Sequence, residues 1–200
     1  MAHVLPPLGL PFPLVGGRAE SSDGSLVARV RAGEPAALAE AYDAHHAHVR
    51  AFARRLVGDD ATAEDLVQET FVALPGAVAR FRGESSLRTL LVSIAVHHAH
   101  HHVRAATRRR AAMTRLADQP VAHAPSPADE AQRRQLAAAL VRALDALPID
   151  QRVAIVLCEV EERTSAEAAR IVGAPEATIR TRVFHAKKKL AEALAGQGLR

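Results

Sequence analysis

From Ser25 onward the apolar positions of this chain recur at steps of three and four, the spacing of a helix face. Leu26, Val27 and Val30 predict a short amphipathic helix that stops at Gly33. Pro35 then stands where a first helical residue is favoured, and Leu38, Ala41, Tyr42, His45, Val49, Phe52, Ala53 and Leu56 carry a longer helix to Gly58-Asp59-Asp60. The segment ATAEDLVQETFVAL predicts a third helix with Val67, Phe71 and Leu74 as its apolar side, and Pro75-Gly76 is expected to end or kink it. Phe81 to Ser86 reads as a loop. Ser85 or Ser86 then caps a long helix whose inward stripe is Leu87, Leu90, Leu91, Ile94 and Ala95.

The second half repeats this grammar on a smaller scale. DQPVAHAPSPAD has the Pro- and Ala-rich composition of a linker, and a helix from Glu130 to Leu147 follows it. Val153, Val156, Leu157 and Val160 give the next helix its buried stripe. Ser165 can cap a short helix that runs to Val172, Gly173-Ala174-Pro175 breaks it, and Pro175 or Glu176 opens a last, basic helix. Two helices joined by a tight turn with Gly form a helix-turn-helix. No stretch reads as a strand. The expected fold is therefore all-α: two small helical domains, about 25–116 and 130–195, joined by a flexible linker at 117–129, the C-terminal one a helix-turn-helix. Residues 1–24, punctuated by Pro6, Pro7, Pro11 and Pro13, read as a disordered tail.

Charge narrows the partner. The 200 residues carry a formal charge of +4 and a pI of about 10.0, which favours a polyanion such as nucleic acid. A single cysteine, Cys158, excludes an internal disulfide and a Cys-rich zinc site, and suits a reducing cytoplasm. No apolar run approaches a membrane span, so no membrane insertion is expected. The apolar start lacks a basic leader and makes a poor signal peptide. No Ser-His-Asp spacing, phosphate-binding Gly loop or cofactor fingerprint is present, so an enzyme is not expected, nor a cofactor.

Two helix faces stand out. On the last helix Ile179, Val183, Ala186 and Leu190 complete an apolar flank without Phe184, which falls among Arg180, Thr181 and Lys188 on another. An exposed aromatic among cations fits a DNA major groove, where Arg pairs with a guanine edge and an apolar group meets a thymine methyl. On the third helix Asp65, Gln68 and Glu69 lie together with Val72 beside them. Clustered acids on a basic protein suggest a protein-docking face; ordinary solvated carboxylates explain the spacing equally well. The long fourth helix ends in VHHAHHHVRAATRRR, whose Arg104, Arg108, Arg109, Arg110 and Arg115 suit phosphate contacts.

Taken in order, AEDLVQETF, FRGESSLRTLLVSIA with its basic tail, the Pro-rich linker and LPIDQRVAIVLCEVEERTSAEAARIVGAPEATIRTRVFHAKKKL resemble the extracytoplasmic-function (ECF) sigma factors of bacterial RNA polymerase, from Leu26 to Leu194. The resemblance implies an alternative sigma factor that binds core polymerase and directs promoter recognition and melting. It implies that Asp65, Gln68 and Glu69 dock on the clamp helices of the β′ subunit, with the β flap as a further contact. It assigns minus-ten DNA to His97, His98, His101, Arg104, Arg108 and Arg109, with capture of a flipped base. Minus-thirty-five DNA falls to Thr178, Arg180, Thr181, Arg182, Phe184, His185 and Lys188. An anti-sigma factor is a further expected partner. Departures from the family pattern lie at Leu90 (usually Trp), His97 (usually Asn), His101 (commonly Asp), the Arg163–Ala166 run and Pro75-Gly76, and they bear on promoter choice more than on class.

The histidines admit a second reading. His97 with His101, and His98 with His102, are i, i+4 pairs able to hold a divalent metal, although no Cys or carboxylate nearby in sequence completes a tetrahedral set. Histidine replacing Asn or Lys on a DNA-facing helix is the simpler account, and no metal site is expected. The rival function is a LuxR-like helix-turn-helix regulator, which would have no use for an acidic face on the third helix.

Overall fold

A computed structural model describes residues 21–113 and 138–195, and every regular element in them is helical. The order is α1 (Ser21–Arg31), α2 (Pro35–Val57), α3 (Asp60–Val78), α4 (Leu87–Met113), α5 (138–145), α6 (Ile149–Ile155), a π-helical turn (Val156–Val160), α7 (Ser165–Val172) and α8 (Glu176–Ala195). Side chains in α4 are described as far as Arg104. Most of the expected tail, the expected linker and the start of the helix expected from Glu130 lie outside the described residues.

Local chemistry explains most boundaries. Pro35 starts α2, and Gly58, at φ 83°, ends it in the left-handed conformation that glycine adopts without strain. Asp59 caps α3 by accepting from the Thr62 N–H at 2.8 Å. Ser86 accepts from the Thr89 N–H at the start of α4. The first helix begins at Ser21, ahead of the expected boundary at Ser25, because Asp23 has a tertiary use: it accepts from the Leu87 N–H at 3.0 Å and so caps α4 across 64 residues.

Three further expectations are corrected. Helix α3 does not end at Pro75-Gly76 but runs on to Val78. Proline removes one ladder bond, yet Leu74 and Val78 are fully buried, and Arg31 donates to the carbonyls of Val78 (3.0 Å) and Phe81 (2.6 Å) just beyond. The cap of α7 is Thr164 rather than Ser165, in a reciprocal capping box with Glu167. Val160 is 46% exposed rather than part of the buried stripe, because the π-helical turn shifts the register after Ile155.

Helices α2, α3 and α4 enclose Phe52, Leu56, Leu66, Leu74, Leu87 and Leu91, each fully buried and worth about 1.5–3 kcal/mol of transfer free energy. Helices α6 to α8 enclose Val153, Leu157, Ile171, Ile179 and Ala186. The two sets are not separate bodies. Helix α4 packs on α6 and α7, α2 packs on α6, and the buried apolar cluster is continuous between them.

Arg152 sits at this junction, 7% exposed. Its guanidinium donates to the Leu56 carbonyl at the end of α2 (2.6 Å), to the Asp145 carboxylate (2.9 Å) and to the Asp145 carbonyl (2.5 Å). Burial pushes the Asp145 carboxyl up and the guanidinium down, and each partner's charge opposes the other's shift. Arg152→Leu strands these acceptors and is expected to cost about 2–4 kcal/mol. Denaturant unfolding measures this, and a loss below about 1 kcal/mol would contradict the role.

Histidines also pack at the edges of the core. His48, His98 and His100 are held below the usual imidazole value, first by burial, with Glu161, Glu69 and Asp150 respectively opposing the shift. The unfolded chain therefore takes up these protons more readily than the folded one. The stability they contribute is present above about pH 6.5 and is lost as the pH falls below it. Thermal midpoints should drop between about pH 7.5 and pH 5.5, and His98→Gln with His100→Gln should flatten the slope. An unchanged slope in that double variant would refute the assignment.

Candidate polymerase and nucleic-acid interfaces

The surface of α3 divides by helix geometry. Ala63, Leu66, Val67, Thr70, Phe71 and Leu74 face the core, and Asp65, Gln68 and Val72 form an exposed stripe on the other side. Val72 is 71% exposed, so an apolar side chain stands in the middle of that acidic, polar stripe. Glu69 lies at the stripe's edge and is half-buried. Its carboxylate accepts from both members of an i, i+4 histidine pair: His98 Nδ1 is 3.0 Å from one oxygen and His102 Nε2 is 2.9 Å from the other. The partner that sequence proximity could not supply to His98 and His102 thus comes from another helix. Among the described residues, however, no group of three or more His, Cys, Asp or Glu is arranged to hold a metal ion.

The histidine-rich part of α4 splits into two roles. His98 rests on Glu69 with its Nε2 buried and unpartnered, which takes it out of the surface that a DNA strand could meet. His97, His101 and Arg104 are exposed and share one wall of a cavity of about 320 Å³. His97 is held below the usual imidazole value by burial, then by His101 and Arg104 as neighbouring like charges, so it is a neutral donor–acceptor near neutral pH. Arg108 and Arg109 belong to the last turns of α4, beyond the described side chains.

Across the cavity stands the helix-turn-helix. Gly173, at φ 69°, ends α7 in the left-handed conformation, and Ile171 to Ala174 line the far wall with Arg182 and Asp150. On α8, Ile179 and Ala186 are buried while Arg180, Thr181, Phe184, His185 and Lys188 are exposed. Phe184 is 64% exposed, with the His185 ring edge-on at 5.5 Å. Arg180 pairs with Glu176 at 2.8 Å; both are exposed, so the pair is weak and the guanidinium is available to a base edge. The Thr181 hydroxyl donates to the Ala177 carbonyl, which leaves it as an acceptor. Thr178 and Arg182 are half-buried at the margin of this face.

Sequence spacing did not single out the residues that join the two domains. The side chain of Glu161 is 6% exposed and its carboxylate lies 3.2 Å from His48 Nε2 and 3.6 Å from Arg88. Arg88 donates to His48 Nδ1 at 2.9 Å; neutral His48 therefore carries its proton on Nε2, facing the carboxylate. Asp150 lies 3.8 Å from His100 and 3.4 Å from Arg182. Each cluster joins residues more than 30 positions apart, a separation that no local pattern encodes.

Comparison with known proteins follows this division. Sigma-70 region 2 matches residues 41–109 and Sigma-70, region 4 matches residues 137–190. The ECF RNA polymerase sigma factor SigC of Mycobacterium tuberculosis is 35% identical over 134 residues, 67% of this chain and 71% of that protein. SigM of the same species is 29% identical over 190 residues, 94% of this chain and 93% of that protein. The RNA polymerase sigma-H factor of Pseudomonas aeruginosa is 28% identical over 183 residues, 88% and 95% of the two chains. The structure of the sigma factor RpoE in complex with the anti-sigma factor NepR from Bartonella quintana superposes with a TM-score of 0.59 at 29% identity, over 75% of this chain and 91% of that one. CnrH, solved in complex with the cytosolic domain of CnrY, shares the fold at a TM-score of 0.62 and 23% identity, over 88% of this chain and 99% of that one. A LuxR-like regulator leaves the match over residues 41–109 without an explanation. With region 2 falling on α2 to α4 and region 4 on α5 to α8, the chain belongs to the ECF RNA polymerase sigma factors, which are transcription initiation factors and not enzymes.

Proposed function

We propose that this sigma factor docks on the β′ clamp helices of core RNA polymerase through the exposed stripe Asp65, Gln68 and Val72, with Glu69 at its edge, while the C-terminal domain contacts the β flap. His97, His101 and Arg104, continued by Arg108 and Arg109, meet the minus-ten DNA. Arg180, Thr181, Phe184, His185 and Lys188, with Thr178 and Arg182 at the margin, read the minus-thirty-five element in the major groove. One observation carries this reading: a chain with region 2 and region 4 leaves one helix face acidic with an apolar centre and another basic with an exposed Phe, and neither face serves the core. The first suits a basic protein surface and the second suits DNA.

Polymerase holds the two DNA-reading faces in one complex, so each raises the effective concentration of the other on a promoter with both elements. Such a factor works in the cytoplasm, beside polymerase and promoter DNA. The solved relatives include a sigma factor held by an anti-sigma factor, which supports a protein partner of that kind here. No helix among the described residues is long and apolar enough to cross a membrane.

Pull-down with core polymerase is expected to retain the wild-type chain and to lose most of the Asp65→Ala/Gln68→Ala variant; failure of the wild type to bind would sink the proposal. Run-off transcription with variants of α8 tests the DNA face. Arg180→Ala or Phe184→Ala should erase promoter preference at a cost of about 1–3 kcal/mol, whereas Lys189→Ala should weaken all sequences alike and lower the salt slope by about one. Unchanged selectivity in Arg180→Ala would show that another face reads the DNA.

A further inference from the structure

The close packing of α4 runs out before the helix does. Leu91, Ile94, Ala95 and Ala99 are buried, but none of the residues from His100 to Arg104 is. That stretch carries His101 and Arg104, two of the side chains assigned above to minus-ten DNA. Their aim therefore depends on something other than the core. Glu69 of α3 reaches α4 at this point: His98 Nδ1 lies 3.0 Å from one oxygen of its carboxylate, and His102 Nε2 lies 2.9 Å from the other.

An ionised carboxylate can only accept hydrogen bonds, so each of these two nitrogens must carry the proton. Burial holds His98 below the usual imidazole value, against the pull of Glu69, so near neutral pH its one proton sits on Nδ1. Its Nε2 is then a bare nitrogen, buried and without a partner. His98 and His102 stand one helical turn apart, and two bonds from one turn to one charged acceptor resist both sliding and rotation of the helix. Successive residues of an α-helix are turned by about 100°. Fixing the stripe of His98 and His102 therefore sets the direction of the adjacent stripe, His97, His101 and Arg104. Asp65 and Gln68 lie fully on the exposed side of α3, whereas both oxygens of Glu69 are turned to α4.

We propose that Glu69 is a positioning residue for minus-ten recognition: acting through His98 and His102, it sets the aim of His97, His101 and Arg104. This role deepens the minus-ten assignment above and rests on it. The clamp itself is a property of the contact between α3 and α4.

Glu69→Asp separates charge from reach, because it keeps the carboxylate at the edge of the stripe but shortens it by one C–C bond of about 1.5 Å, too short to span both imidazoles. Histidine 15N NMR of the full-length chain at about pH 7.5 reads the clamp without reference to function. The wild type should show neutral His98 protonated on Nδ1 and His102 on Nε2, and Glu69→Asp should release at least one of these fixed forms. A wild-type His98 protonated on Nε2 would overturn the clamp. Positioning is read with core polymerase preassembled with each chain and a barcoded pool of linear templates randomised across the promoter region, with transcripts sequenced. Glu69→Asp should lose about tenfold in discrimination at minus-ten positions, the order of one hydrogen bond to a charged group, and keep its minus-thirty-five preference. His98→Ala/His102→Ala should lose as much at unchanged helix content, and adding Glu69→Asp to that pair should cost nothing further. An intact minus-ten preference in Glu69→Asp, a loss that adds to that of the histidine pair, or an equal loss at both elements would overturn the positioning role. Absence of polymerase-dependent transcripts from the wild type would instead strike the sigma-factor mechanism, and with it the minus-ten consequence, while the NMR result still decides the clamp.

Discussion

The guanidinium of Arg152 is the contact on which the arrangement of this molecule most depends. It is a charge placed almost wholly inside protein: its terminal nitrogens donate to Leu56 of α2, to Asp145 and, at a longer 3.4 Å, to the Leu147 carbonyl, while its Nε is buried without a hydrogen-bond partner. A buried cation costs less the more of its donors find acceptors, and one of these acceptors comes from the other domain. With α2 and α6 joined in this way, α7 settles on α4 and the charged clusters around Glu161 and Asp150 fall into reach. The orphaned carbonyl at the C-terminal end of α2 thus becomes part of the domain junction.

The histidines show how position on a helix decides chemistry that composition leaves open. Five of them lie between His97 and His102, yet they do different things. His98 and His102 share Glu69 of α3, so one carboxylate at the edge of the exposed stripe of α3 also fixes the middle of α4. His100 meets Asp150, and His97 and His101 line the cavity. Glu69 therefore couples the exposed stripe of α3 to the histidine-rich part of α4, through one carboxylate and two imidazoles.

Much of this was legible from spacing. The apolar stripes of α2, α4 and α8 follow a period close to 3.6, and burial confirms Val49, Phe52, Leu56, Leu87, Leu91, Ile179 and Ala186 on their inner sides. Exposure of Phe184 followed from the same reasoning, because the apolar flank was complete without it. The misreadings have physical causes. Pro75 looked like an end or a kink, and of the two the end is excluded: Leu74 and Val78 are buried and Arg31 covers the carbonyls beyond it. Val160 looked buried until a π-helical turn altered the register. Asp23 looked like part of a tail, because its use as a cap lies 64 residues away.

The sequence by itself determined the class of the molecule: helical throughout its patterned length, built in two parts, with an acidic face on α3 and a basic, Phe-bearing face on α8. Those features are local, set by the repeat of side chains along one helix, and a periodic pattern records them directly. What only the tertiary structure decided is how the two parts meet. That Arg152 reaches Leu56, that Glu161 answers His48 and Arg88, and that Asp150 stands between His100 and Arg182 depends on packing between helices far apart in the chain. A charged residue looks the same in sequence whether it faces water or a partner from another domain; burial alone separates the two.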